Sequence, residues 1–142
     1  MPKPDTSAID AALVGLLNAD STLQTLAPDG AYFDEAPPNA QRFVIVALAD
    51  ALDSATYDAG RAFEEKTYTV VAKMLSTAGG DIKGAAARID ALLEDATLTA
   101  AGYDDARIRR ERPIRETDVD ETDPSLRWFH RGGEYRVHAA IA

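Results

Sequence analysis

The feature that most constrains the fold is an uninterrupted apolar run from Phe43 to Leu48. Such a run indicates a strand with both faces covered, because a half-exposed strand alternates apolar and polar residues. Residues 63–75 do alternate, and they predict a second strand. One of its faces carries Tyr68, Val70, Ala72 and Met74. The polar segment between the two strands, Asp50 to Arg61, is predicted to be a long hairpin loop.

Apolar residues at helical spacing predict two main helices. The first covers residues 7–17 with Ser7 as its cap, and the second runs from Asp81 to about Asp95. A short helical turn begins at Asp20 and stops before the turn at 29–30. The apolar stripes consist of Ile9, Leu13, Leu16 and Leu17 in the first helix and Ile82, Ala85, Ala86, Ile89, Leu92 and Leu93 in the second.

Further strands complete the pattern. Residues 31–33 predict a short strand. Residues 107–117 and 126–141 predict two long strands joined by an acidic loop at 118–124. Two adjacent glycines, at 132–133, are compatible with either a bulge or a tight turn. The order of elements predicts an α+β fold, in which a small antiparallel sheet carries the two main helices on one face.

Length and composition fit a single domain spanning residues 1–142. A chain of 142 residues with 46% hydrophobic and 27% charged residues can build a core without crosslinks. It contains no cysteine, which excludes disulfides and thiolate chemistry. Residues 1–6 carry no apolar signal core, and no segment approaches the roughly 20 apolar residues of a membrane helix. We therefore expect neither export by this route nor contact with a membrane.

Charge is unevenly distributed along the chain. The net charge of −9 argues against general nucleic-acid binding, which needs an excess of Lys and Arg. Eight of the fifteen basic residues nevertheless lie between Arg107 and Arg136, whereas the first sixty residues are strongly acidic. Opposite charge on two regions allows copies of the chain to bind one another. Solvated faces of a single sheet would produce the same pattern.

The densest basic segment runs from Arg107 to Arg112. Strand alternation predicts Arg107, Arg109 and Glu111 on one face and Ile108, Arg110 and Arg112 on the other. The segment is either a solvent-facing strand or a charged subunit contact, since guanidinium groups bind carboxylates at interfaces. On the second interpretation, Arg109 or Arg110 contacts carboxylates of a neighbouring subunit.

No catalytic or cofactor motif stands out. Residues 118–123 begin like a calcium loop, but Asp123 and Phe129 occupy the places where that motif requires Gly and Glu. His130 and His138 are eight residues apart on a predicted strand and lack metal-ligand spacing. Neither a phosphate-binding loop nor a nucleophile elbow is present. We therefore expect no cofactor, no metal and no enzymatic activity.

The layout as a whole resembles the tail-completion, or tail-terminator, proteins of long-tailed bacteriophages and related tailed particles. The resemblance covers nearly the whole chain, and no single motif carries it. It rests on the end of the first helix at 16–23, the short strand at 31–33 with its proline-rich continuation, the helix at 89–93, the Arg-rich strand with its acidic turn, and the closing stretch 128–137.

This resemblance implies a closed ring, typically hexameric, that caps the finished tail tube. The implied partners are further copies of the chain, the tail tube protein, and a head-tail connector or stopper protein, with double-stranded DNA only passing through the ring. The implied location is the neck or tail of the virion, after assembly in the host bacterial cytoplasm. The expected contact residues are Arg107, Arg109, Arg110, Arg112, Asp53, Tyr57, Arg61, Trp128 and Arg131.

Other functions remain open at this point. Another neck protein, such as a head-side stopper or adaptor, would bind the portal ring instead of a tube subunit. A small cytoplasmic metal-dependent enzyme could use residues 118–123 with His130. A monomeric peptide-binding module would not form a ring at all.

Overall fold

The computed structural model describes residues 7–56, 60–77 and 82–142 as three helices and five strands. In chain order the elements are α1 (Ser7–Asn18), α2 (Ser21–Leu26), β1 (Ala31–Phe33), β2 (Arg42–Thr56), β3 (Gly60–Ser76), α3 (Ile82–Leu93), β4 (Tyr103–Val119) and β5 (Arg127–Ile141). Both main helices and the predicted strands are therefore present. The helix start predicted at Asp81 lies outside the described residues.

The five strands form one sheet in the order β1-β2-β3-β5-β4. Every neighbouring pair is antiparallel except β1 and β2, which run parallel. The parallel pair arises because residues 34–41 carry the chain back along the sheet before β2 begins. Ala36 and Ala40 of that segment pack against Phe43. The predicted α+β class is confirmed, with one short parallel strand added at the edge.

The helices pack on one face of the sheet and form the main core with it. Helix α1 buries Ile9, Leu13 and Leu17, and helix α3 buries Ile82, Ala85, Ile89 and Leu93. These side chains meet Val44, Val46, Tyr68, Val70, Ala72, Met74, Ile108, Tyr135 and Val137 of the sheet. Full burial of a Leu or Ile side chain contributes roughly 1.5–3 kcal/mol each, so this layer supplies most of the hydrophobic stabilisation.

The predicted loop from Asp50 to Arg61 is wrong. Strand β2 continues to Thr56 and β3 begins at Gly60, so most of this segment is paired strand, with register irregularities on the way. Polar residues can form a strand here because pairing with β3 satisfies the backbone whatever the side chains are. Residues 48–51 of this part of β2 are exposed, with Leu48 43% exposed. Backbone pairing does not require apolar side chains where neither face needs to be buried.

Gly132 and Gly133 form neither a turn nor a bulge, because β5 passes through them in continuous register with β3. The bulge lies on the neighbouring strand β4, at Glu111. A Cβ atom at Gly132 would stand 2.0 Å from the backbone oxygen of Val70. Glycine is therefore required at 132 because the two backbones approach too closely for any side chain.

Two charged side chains of β3 are buried on the helix-covered face. Glu64 is 1% exposed and Lys66 is 6% exposed. A carboxylate oxygen of Asp10 in α1 lies 3.9 Å from Lys66 Nζ and also accepts a hydrogen bond from the Tyr68 hydroxyl. Burial, reinforced by this carboxylate, raises the pKa of Tyr68. Polar contacts thus attach α1 to β3 and reduce the cost of burying Lys66. The Glu64 carboxylate instead accepts a hydrogen bond from the Tyr103 hydroxyl.

A second polar contact joins α2 to α3. Asp20 caps α2, since its Oδ2 accepts a hydrogen bond of 2.8 Å from the backbone N–H of Leu23. Arg88 of α3 donates to the same carboxylate, with 2.8 Å between Nε and Oδ2. The Arg88 guanidinium and the Leu23 amide lower the pKa of Asp20 to about 2. The ionised form of Asp20 is therefore the one that the folded state stabilises.

We expect the variant Asp20→Asn to lose less stability than the wild type on acidification. The folded-state pKa is below the ordinary value, so the contribution of Asp20 is present above about pH 4 and is lost as pH falls toward 2. Asparagine keeps the capping oxygen but has no charge to titrate. Urea unfolding at pH 5 and pH 3 measures the difference, with exposed Asp104→Asn as control. Equal acid sensitivity of D20N and wild type would contradict this assignment.

Candidate assembly surfaces

The helices leave the opposite face of the sheet uncovered, and this surface is called the open face below. It includes Phe43 and Ile45 of β2, Lys73 of β3, and Glu134 and Arg136 of β5. One end of it is apolar and the other is charged. A long sheet with one uncovered, mixed-charge face is suited to contacts with other protein subunits.

The Arg-rich strand keeps the predicted alternation only as far as Arg110. The bulge at Glu111 inserts one extra residue, so Arg112 lies on the open face opposite Glu134. The two side chains form an ion pair, with 3.0 Å between Nε and Oε2. The prediction that Arg112 shares a face with Ile108 is therefore wrong, because a bulge moves every following side chain to the other face.

Arg110 points to the helix-covered side and is bound within the subunit. Its Nη1 lies 3.4 Å from Asp90 Oδ1 of α3, and its backbone N–H donates to the Glu94 carboxylate. Alternation predicted opposite faces for Arg109 and Arg110, but the sequence did not show which of the two would meet a carboxylate within the subunit. The structure shows that Arg110 holds α3 against β4.

The remaining arginines of this segment form a basic patch on the open face. Arg107 Nε lies 3.3 Å from Asp105 Oδ2, and Arg136 Nε lies 3.2 Å from Glu111 Oε1. Arg109 is exposed, stands opposite Arg136 in the register, and makes no ion pair with a described residue. Glu111 already neutralises Arg136, which leaves Arg109 as the arginine of this group without a described carboxylate partner. Within the segment from Arg107 to Arg112, Arg109 is thus the arginine best placed for a partner carboxylate.

The predicted contact residue Trp128 lies in a cleft of about 680 Å³ at the apolar end of the open face. Its ring packs edge-on against Phe43, with 5.9 Å between ring centroids. Its Nε1 donates a hydrogen bond of 3.0 Å to Asp120 Oδ1. The same carboxylate group accepts from the backbone of Thr122 and Asp123. The acidic turn is therefore tied to the sheet through Trp128.

His130 lies beside Trp128 and faces the same cleft. Burial and the nearby Lys73 lower the pKa of His130, although Asp118 opposes the shift. Its Nε2 is 3.1 Å from Asp118 Oδ2. Within residues 7–56, 60–77 and 82–142, no group of three or more His, Asp and Glu side chains could hold a metal ion.

Two of the other expected contact residues, Asp53 and Arg61, are not brought together with the Arg-rich strand. Asp53 lies in β2 and Arg61 in β3, whereas β4 is separated from β3 by β5. Tyr57 lies outside the described residues. Arg131 points to the helix-covered side, where its Nε is buried and has no hydrogen-bond acceptor in the described part of the chain.

Arg131 belongs to a groove of about 610 Å³ between α3 and the later half of β4, called the basic groove below. The groove is lined by Lys83, Ala87, Arg110, Pro113, Arg115 and Arg131 among others. Lys83 and Arg115 were not predicted as contact residues. The sequence places them on different elements, and only the packing of α3 beside the sheet brings them together.

The described part of the chain has no helix that is long and apolar enough to cross a membrane.

The chain matches a protein-family model and several solved chains, two of which are compared below. The model of a family described as tail completion protein gp17 matches residues 11–138. A chain from a structure titled the virion of a native gene transfer agent particle is 19% identical, with a TM-score of 0.64, and the match covers 94% of this chain and 96% of that one. A second solved chain is 15% identical, with a TM-score of 0.59, and 97% and 96% are covered. Both show the same fold. No curated protein sequence matches.

Proposed function

The chain belongs to the family of the tail completion protein gp17, and on that premise we propose that it caps a tail tube as a closed ring. The ring would also present the surface to which the head connector attaches. The family match over residues 11–138 is the observation that carries this proposal. The ring is expected to be a hexamer located in the neck or tail of the virion, after assembly in the host cytoplasm.

The charge distribution supports ring closure. A ring needs a head-to-tail interface, in which two different surfaces of one subunit complement each other. Strands β1 and β2 form one edge of the sheet and β4 forms the opposite edge. Residues 29–56 carry five carboxylates and one arginine, whereas the region around β4 carries the dense basic segment. Strand β4 as a whole carries five arginines and five carboxylates, but its arginines are concentrated between Arg107 and Arg115. An acidic edge and an edge with a locally basic segment favour repeated association in one direction.

The proposed role requires complementary surfaces and no chemical reaction. One ring face matches the end of the tube, and the other offers no surface that repeats the tube subunit, so growth of the tube stops. The net charge of −9 suits a ring through which DNA passes, because an acidic subunit does not retain phosphates. Arg109 on the open face is a proposed contact with a carboxylate of a neighbouring subunit or of the tube protein.

We expect the purified protein to form a closed ring, alone or once mixed with its tube protein. The physical reason is that head-to-tail contacts that close leave no unpaired surface. Light scattering after size-exclusion chromatography gives the mass, and averaged electron micrographs give the symmetry.

The variant Arg109→Glu should weaken assembly most at low salt, where like-charge repulsion is least screened.

A chain that stays monomeric both alone and with tube protein would contradict the proposal. A ring that binds the portal and ignores the tube end would favour a head-side stopper instead. Arg127→Glu is a matched control for R109E, because Arg127 is also exposed but lies at the start of β5.

A further inference from the structure

We infer that the basic groove is the docking site for residues 34–38 of a second copy of this chain. These residues, called the acidic-proline segment below, follow β1 at the opposite edge of the sheet and read Asp34, Glu35, Ala36, Pro37 and Pro38. The inference rests on the proposed ring and names the surfaces that would form its subunit contact.

The basic groove carries cationic charge that the subunit does not neutralise. Of its four basic side chains, only Arg110 is paired with a described carboxylate, that of Asp90. Lys83, Arg115 and Arg131 make no ion pair with any residue in the described ranges. Unpaired cations gathered in one groove of a chain with net charge −9 attract an anionic partner.

The acidic-proline segment has the complementary character. Asp34 and Glu35 are exposed, and neither forms an ion pair with a described cation. Pro37 and Pro38 are exposed as well. Their apolar rings match the apolar part of the groove, which Ala87 and other small or apolar side chains provide. Two carboxylates followed by two prolines thus present charge and apolar surface in the combination that the groove offers.

The acidic-proline segment is also held in one shape before any partner arrives. The backbone N–H of Asp34 donates to Val46 O at 2.8 Å, and that of Glu35 donates to Phe33 O at 2.8 Å. The N–H of Ala40 closes the segment on Pro37 O at 3.0 Å. Each proline restricts its own backbone. A pre-ordered segment loses little conformational entropy on binding, which favours association.

Strand addition at the β4 edge is the competing type of contact, and the structure disfavours it. Residues 94–98 already hydrogen-bond to that edge along Ala106 and Ile108. The backbone N–H of Arg110 points to the free edge, where it donates to Glu94. Because the bulge adds one residue, the nitrogen of Pro113 points to the same edge, and it has no hydrogen to donate. Contact at this side of the subunit is therefore expected to use side chains in the groove.

Disulfide trapping tests the contact cleanly because the chain has no cysteine of its own. One tagged chain carries Asn39→Cys, next to the acidic-proline segment, and an untagged chain carries Ala87→Cys in the groove; both positions are exposed. Mixed and oxidised, they should give tagged–untagged dimers roughly tenfold above the level seen with Ala11→Cys, because docking raises the local concentration of the two thiols. Ala11 is an exposed alanine of α1 and serves as the matched control.

Charge exchange provides a second, independent readout. The double variant K83E/R115E should reduce the oligomer fraction at least tenfold at low salt, because repulsion replaces attraction. Adding D34K/E35K to that same chain should restore oligomers, since both surfaces are then reversed. R127E, outside the groove, should leave the oligomer fraction unchanged.

The outcomes separate this inference from the proposed function. Rings that form normally with no N39C–A87C disulfide and no effect of K83E/R115E would overturn the docking site and leave the ring intact. A chain that forms no oligomer and no disulfide, alone or on tails, would refute both. Binding of a DNA duplex that K83E/R115E abolishes, without the disulfide, would assign the groove to phosphate and also overturn the inference.

Discussion

A lysate of particles lacking this chain is expected to contain DNA-filled heads beside separate tails, many of them longer than normal. A tube subunit adds to a tube end because that end repeats the surface to which it binds. Growth therefore continues until a subunit with a different outer surface occupies the end. The proposed ring provides that surface and also the attachment site for the head, so both defects should appear together.

Electron microscopy of a deletion lysate measures this result directly. The length distribution of free tails and the fraction joined to heads are the two quantities to compare. The gene restored from a plasmid is the control and should return both to normal. Tails of normal length firmly joined to heads in the deletion would refute the assignment. Tailless heads that leak DNA would instead favour a head-side stopper.

The variant Gly132→Ala is expected to unfold the protein or destabilise it by more than about 4 kcal/mol. The added methyl group would lie 2.0 Å from Val70 O and 2.7 Å from the Cα of Val71. Both are backbone atoms of the central strand β3, so relief requires the β3–β5 ladder to separate. Thermal unfolding followed by circular dichroism measures the effect, as a lowered Tm or an absent transition.

Gly15→Ala is the matched control, because it makes the same change where space is open. A Cβ at Gly15 would meet no atom within 4 Å, and Gly15 lies inside α1. Alanine there should be neutral or stabilise by roughly 0.5–1 kcal/mol, since glycine in a helix costs backbone entropy. A Tm of G132A within a few degrees of both G15A and wild type would show that the strands have room to adjust.

Much of the fold could be predicted from side-chain patterns alone. The apolar run is buried on both faces from Phe43 to Val46, by the helices on one side and by the apolar residues around Phe43 on the other, whereas Leu48 at its end is exposed. The helical stripes of α1 and α3 are the buried faces observed. These predictions are confirmed because the buried face of a helix or strand needs apolar residues at the period of that element, and this period can be recognised in the sequence.

Other features depended on neighbours that the sequence does not identify. Polar residues 50–56 have loop-like composition, yet they pair with β3 because a hairpin satisfies its backbone whatever its side chains are. The close approach at Gly132 and the bulge at Glu111 depend on which strands lie beside β5. The bulge then decided which arginines face outward, because one inserted residue reverses the direction of every side chain after it.

The sequence by itself determined the family resemblance, the α+β layers and the separation of acidic and basic regions along the chain. Only the tertiary structure decided that Arg110 pairs with Asp90 of its own subunit whereas Arg109 pairs with no described carboxylate, and that Lys83, Arg115 and Arg131 share one groove. The physical reason is that each buried face requires apolar side chains at a regular spacing, and this spacing can be recognised in the sequence. A site instead depends on the distances between side chains of different helices and strands, and these distances exist only once the chain has folded.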